Sequence, residues 1–129
     1  MSDVIVSIDW SEIRVGKLED LKVAIKELVD FVDTNEPRPL AYHVYLNEDG
    51  TRMTVVQVHP DSASMEHHMS IAGSAFPTFK GLLELNAIDV YGTASETLLG
   101  LLRQKAQVLG GATVAVHGLH AGFTRFGGR

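Results

Sequence analysis

Residues 40–79, LAYHVYLNEDGTRMTVVQVHPDSASMEHHMSIAGSAFPTF, constrain the fold more than any other stretch. Apolar and polar side chains alternate over 40–47 and again over 52–59, the period of a strand with one buried face. Asn47-Glu48-Asp49-Gly50 fits a type I turn, with Asn first and Gly fourth. Pro60 stops the second strand, because it cannot donate to a ladder. Asp61, Ser62 or Ser64 can then cap a helix that runs to about Ala72. Gly73 and Pro77 are expected to break that helix, leaving Phe76 and Phe79 as apolar anchors. Hairpin, break and helix in this order point to a small pocket between a sheet and the helix packed on it.

The register of the hairpin decides which residues face that pocket. If Gly50 is left-handed, the loop has three residues and ends in a bulge. Asn47 then sits opposite Thr51, His43 opposite Val55, and Ala41 opposite Gln57. One face carries Leu40, Tyr42, Val44, Leu46, Thr54, Val56 and Val58 and is mainly apolar. The other carries Ala41, His43, Tyr45, Met53, Val55, Gln57 and His59 and is mixed. A two-residue Asp49-Gly50 turn is the alternative. It shifts the pairing by one and puts His43 and His59 on opposite faces.

Upstream, Val4, Val6 and Ile8 alternate with Ile5, Ser7 and Asp9 as a first strand, which ends or turns off at Trp10. Leu18, Leu21, Ile25, Leu28 and Val32 recur at helical spacing and predict a helix over about 17–35. Pro37 and Pro39 end it, since the residue before a proline avoids the helical region. Downstream, a strand is expected at about 83–91. Thr93-Ala94-Ser95-Glu96 has capping-box spacing and starts a third helix. Leu98, Leu99, Leu102, Ala106 and Leu109 give that helix an apolar face, and Gly110 and Gly111 close it. Residues 112–116 read as a last strand, followed by an irregular glycine-rich tail.

The predicted order is β-α-β-β-α-β, then α-β. The first six elements are the split βαβ plan of a ferredoxin-like α+β fold. The 129 residues form one expected domain, 1–129. Within it, 95–126 is a C-terminal extension that covers an edge strand or reaches a second subunit.

The absence of Cys excludes disulfides and Cys-built zinc sites. A net charge of −5 with scattered basic residues argues against nucleic acid as a partner. No apolar run approaches the roughly 20 residues of a membrane helix, and the start lacks signal-peptide features. A cytoplasmic protein without membrane partners is expected.

The candidate chemistry lies with the histidines. His67 and His68 are adjacent, so on a helix they point about 100° apart and cannot share one metal. His117 and His120 would face opposite sides of a strand. No metal site is expected. On the first register His43, Tyr45, Gln57 and His59 share the mixed face, with Met53 and Val55 as apolar lining. Small-molecule pockets have that character, although a hydrated subunit interface would look the same. His68 has Met65, Met69 and Ala72 around it at helical spacing and is expected to turn inward over this face. Asp30, Asp33 and Glu36 read as a solvated helix face, and Asp89 as a polar group inside its strand. Phosphate-loop, dinucleotide, nucleophile-elbow and zinc-protease motifs are all missing.

The segment VVQVHPDSASMEHHM, followed by Phe76, resembles the antibiotic-biosynthesis-monooxygenase-like proteins, and the similarity extends over about residues 3–92. The resemblance implies a dimeric α/β barrel, in which two ferredoxin-like protomers set their sheets face to face. It implies a pocket between sheet and helices, and oxidation of a small aromatic or quinol-type compound by O₂ without metal or flavin. His68 matches a His that members often carry on the second helix, and Glu66 an acidic position of the same motif. His59 stands where many members have Trp, and Ser7 where haem-degrading members use Asn. The roles implied are His68 or His43 as base, Tyr45 and Gln57 orienting the substrate oxygen, and Met53, Val55 and His59 lining the pocket. The alternative is a non-catalytic small-molecule-binding or interaction protein on the same fold.

Overall fold

The computed structural model describes residues 4–126. In chain order it has β1 (Ile5–Ile13), α1 (Leu18–Asn35), β2 (Ala41–Leu46), β3 (Arg52–His59) and α2 (Ser62–Ala72). A 3₁₀ turn (Gly73–Ala75), α3 (Phe76–Lys80), β4 (Leu83–Tyr91), α4 (Glu96–Val108) and β5 (Thr113–His117) follow. The strands make one sheet in the order β2-β3-β1-β4-β5. The first four are antiparallel neighbours in ferredoxin-like order, and β5 runs parallel to β4 at the edge. Among the described residues no helix is long and apolar enough to cross a membrane.

The hairpin adopts the shifted register. Tyr42 pairs with Gln57, His43 with Val56, and Val44 with Val55. The type I turn is present, since the Gly50 N–H donates to the Asn47 carbonyl at 3.1 Å and Gly50 has a φ of 69°. The Thr51 N–H, however, donates to the side chains of Asn47 at 3.0 Å and Asp49 at 3.1 Å. Thr51 is therefore held inside the turn, and the ladder starts at Arg52 with the Asn47 N–H on its carbonyl at 3.1 Å. The expected pairing of His43 with Val55 is off by one. Met53, Val55, Gln57 and His59 are buried under the helices, while His43 and Tyr45 lie on the opposite face, with Tyr45 54% exposed.

Three further expectations are corrected. The first strand does not end at Trp10 but continues to Ile13, with a register shift against β4 between Trp10 and Ser11. α2 does end at Ala72, as expected, but Pro77 starts a further helix rather than acting as a breaker. It sits in the first turn of α3, where a missing N–H costs nothing. The α4 cap is Ser95, whose hydroxyl accepts from the Leu98 N–H at 3.0 Å, rather than Thr93.

The core lies between the sheet and α2, α3 and α4. Leu98 and Leu102 are fully buried there against the inner face of β4, together with Leu85, Ile88 and Val90. The extension is thus part of the core, with β5 added to the sheet edge. The long α1 buries only Leu21 and Val32 completely. Its Ile25 and Leu28 remain half-buried over the space that holds the site.

Candidate active site

Strand β1 presents Ile5, Ser7, Asp9 and Ser11 to the helices, and all four are buried. Three of them are polar, which is unusual for the central strand of a sheet. Gln57 pairs with Ser7 and Val55 with Asp9 on the neighbouring strand. The middle of the inner face is therefore a polar strip inside an apolar surround.

α2 aims His68 at this strip. Asp61 caps the helix, accepting from the Ser64 N–H at 2.8 Å, and this fixes the helix rotation. His67 then faces solvent and His68 faces inward. Glu36, directly after α1, comes from the other side. Its two carboxylate oxygens each lie 3.1 Å from His68 Nδ1. The two side chains are 2% and 1% exposed. The Tyr42 ring stands edge-on to the imidazole at 5.3 Å, and the His59 ring lies 5.9 Å away.

Burial decides the charge states. Burial first, then Lys105 and His67, bring His68 down to about 4 against the opposing pull of Asp9. Burial and, after it, the neighbouring His68 together bring His59 down to about 4, with Asp61 opposing them. Both rings are neutral near pH 7. Burial raises Glu36, and His67 partly offsets this. Burial also raises the Tyr42 phenol, with Asp9 and Glu36 adding to the effect, so its hydroxyl keeps its proton. A neutral His68 that donates from Nδ1 to a carboxylate has its second nitrogen free as a base.

His59 has another task. Its Nδ1 lies 2.8 Å from Ser64 Oγ and its Nε2 2.9 Å from Gln57 Oε1. Neutral His59 with the proton on Nε2 satisfies both, donating to Gln57 and accepting from Ser64. Ser7 Oγ and Gln57 Nε2 are buried and have no partner among the described residues.

The cleft beside His68 has a volume of ≈50 Å³. Asp9, Ser11, Tyr42, His68 and Lys105 supply its polar groups, and Met53, Val55, Met69, Phe76 and Phe79 are among its apolar walls. Lys105 Nζ, from α4, lies 3.1 Å from Asp9 Oδ2.

Of the residues expected at a pocket, the structure brings Met53, Val55 and His68 to the cleft and sets Gln57 and His59 beside it. His43 and Tyr45 are elsewhere, bonded to each other at 3.3 Å on the outer face. Glu66 points away, accepting from Ser95 at 2.7 Å to tie α2 to α4. Glu36, Asp9, Tyr42 and Lys105 were not expected at the site. Glu36 is not on a solvated face, because it falls four residues after Val32 and continues the buried stripe of α1. Lys105 falls on the α4 stripe between Leu102 and Leu109. A charge in phase with an apolar stripe was the available signal for both.

No family model matches the chain, and no curated protein matches it in sequence. Solved structures do match in shape. MupZ from Pseudomonas fluorescens superposes with a TM-score of 0.74 at 20% identity, covering 97% of this chain and 91% of MupZ. A putative antibiotic biosynthesis monooxygenase from Nitrosomonas europaea gives 0.63 at 16% identity, covering 74% of this chain and 95% of that one. SnoaB, a cofactor-independent oxygenase from Streptomyces nogalater, gives 0.62 at 9% identity, covering 73% and 96%. The chain has the ferredoxin-like α+β fold of the antibiotic-biosynthesis-monooxygenase-like proteins. The match with MupZ takes in nearly the whole chain, whereas the other two cover about three quarters of it.

Proposed function

We propose that this chain is a cofactor-independent monooxygenase-like enzyme of the antibiotic-biosynthesis-monooxygenase-like family, acting on a small aromatic or quinol-type compound with His68 as the base. The buried Glu36–His68 pair carries the reading. Glu36 holds the imidazole in one tautomer and balances the charge it gains on taking a proton. His68, neutral near pH 7 and able to accept a proton, then removes the phenolic proton. The electron-rich anion reduces O₂, with one oxygen atom going to carbon and the other leaving as water. SnoaB, on the same fold, is described as a cofactor-independent oxygenase, which supports the reaction class.

A ring needs more room than ≈50 Å³, which suits a few waters. In this reading α1 is the wall that gives way. Its Ile25 and Leu28 line the cleft, and open grooves of ≈500 Å³ and ≈330 Å³ flank the helix. The test is oxygen uptake with a panel of quinols and anthrones. Uptake above background that H68Q abolishes is expected. Background rates throughout would end the reading.

The small cleft favours a second reading, a non-catalytic binding or interaction protein. That reading predicts thermal stabilisation by some panel compounds without oxygen uptake.

Assembly as a homodimer through the outer sheet face is part of the first reading. Val6, Ile8, Trp10, Val56 and Val58 lie there half-exposed, with the Arg52 guanidinium 3.8 Å over the Trp10 ring. Met53 and Val55, expected on this face, belong instead to the core.

A further inference from the structure

We propose that Lys105 is the anion-holding residue of the cleft, and that the ligand enters neutral, as a phenol or enol, and is held as its conjugate base. This rests on the reading of His68 as the base.

Lys105 lies in the added helix α4, yet its side chain is only 13% exposed and reaches Asp9 on β1. It lines the same cleft as His68. Its ammonium carries three donors. Asp9 takes one, and no other acceptor among the described residues takes another. Phe76 supports the ammonium from 5.9 Å. A buried ion pair is a poor way to fill a core, since apolar residues of similar size are often as stable or more so. The other stripe residues of α4 (Leu98, Leu102, Ala106 and Leu109) are such residues.

The charges in the cleft restrict the ligand further. The groups facing His68 are Asp9 on β1, Tyr42 on β2, His59 on β3, Glu36 after α1, and Lys105 on α4, with His67 beside it on α2. Asp9 and Glu36 together exceed the single charge of Lys105. A carboxylate or phosphate arriving as an anion is disfavoured. A neutral O–H compound is not. When its O–H bond breaks, the proton forms an N–H bond on His68 and the electron pair stays on oxygen. Glu36 balances the imidazolium, and the free donors of Lys105 take the oxyanion.

The test uses the full chain and 4-nitrophenol, whose anion is coloured and whose neutral form is not. Wild type should bind it partly as phenolate below its solution pKa, and should bind benzoate more weakly. K105R should keep the coloured species. K105M should lose it, with affinity falling on the order of 10- to 100-fold, as expected for a charge-assisted hydrogen bond. Should K105M not fold because Asp9 is left unpaired, D9N/K105M removes the pair as a unit and should give the same loss. Phenolate binding unchanged in K105M or D9N/K105M would overturn the proposal, as would no binding by wild type or equal affinity for benzoate. Oxygen uptake by wild type and H68Q judges the reading of His68 separately.

Discussion

Glu36 and His68 are 32 residues apart in the chain, yet each Glu36 oxygen lies 3.1 Å from His68 Nδ1. Two helices separated by the β2–β3 hairpin put them there. Pro37, directly after Glu36, keeps α1 from continuing, and the Asp61 cap sets the rotation of α2. A buried pair of this kind is poor evidence for stability, because desolvation opposes the attraction. Its value lies in holding one nitrogen of His68 ready.

Variants of Glu36 should separate that role from packing. E36Q can still accept from Nδ1–H, so its fold should survive. It cannot balance an imidazolium, so turnover should fall strongly while binding of a neutral ligand persists. E36A leaves a buried N–H unpaired and should cost about 1–3 kcal/mol of stability. Denaturant melts and oxygen uptake on both variants check this. Equal turnover in E36Q and wild type would remove Glu36 from the site.

Stability should depend on pH in a definite direction. His59 and His68 fall from an ordinary 6.5 to about 4 in the fold. Between those values the unfolded chain binds more protons than the folded one, so stability drops as pH falls from about 6.5 to 4. Glu36, raised by burial, works the other way, since acid relieves its buried charge. Two imidazoles outweigh one carboxyl, so the melting temperature should fall on acidification. H59Q/H68Q should flatten the slope. A melting temperature constant from pH 7 to 4 would contradict the burial of both rings.

Asp61 joins two devices. It caps α2 and accepts two bonds from Arg38, at 2.7 and 2.6 Å. The cap alone is worth about 1 kcal/mol, and the half-exposed ion pair adds about 0–1. D61A should therefore destabilise by about 1–2 kcal/mol, and R38A by less than 1. Because the cap also fixes where His68 points, D61A should lower turnover even in conditions where it stays folded. Equal melts for D61A and R38A would show that the cap contributes nothing.

The outer face gives a prediction about assembly. Ile8, Trp10 and Val56 lie half-exposed together on this face, and twofold pairing is the common way to cover such residues. Wild type should scatter light as a dimer and V56K as a 14.0 kDa monomer. A monomeric wild type at micromolar concentration would end the dimer proposal.

Much of the fold was legible because periodicity reports burial. The bounds of β3, α2 and β4 follow from alternation and turn residues alone. The hairpin register was not legible, because it hung on Thr51 being held by the Asn47 and Asp49 side chains, a contact that alternation does not reveal. That one-residue shift carried His43 and Tyr45 away from the pocket. The site was read through its histidines, and the inward turn of His68 was visible in its apolar neighbours. Glu36, Asp9 and Lys105 were hidden because an isolated charge looks like surface until its phase is compared with the stripe beside it.

The C-terminal segment was expected to cover an edge strand or reach a second subunit, and its place in the core sets the outcome of truncation. Leu98 and Leu102 are fully buried, and Ala106 and Leu109 nearly so, all within the core. Each fully buried Leu contributes roughly 1.5–3 kcal/mol. Removal of residues 93–129 also strips β4 of its parallel partner β5 and of the bond from the Leu85 N–H to the Leu109 carbonyl at the end of α4, at 2.8 Å. It leaves Asp9 buried without Lys105. A chain ending at Gly92 should fail to melt cooperatively, rather than merely dissociate. L102A, a milder cut in the same contact, should cost about 2–5 kcal/mol. Circular dichroism melts of both decide the matter. A truncated chain that unfolds at the wild-type temperature would show that α4 and β5 are dispensable to the core.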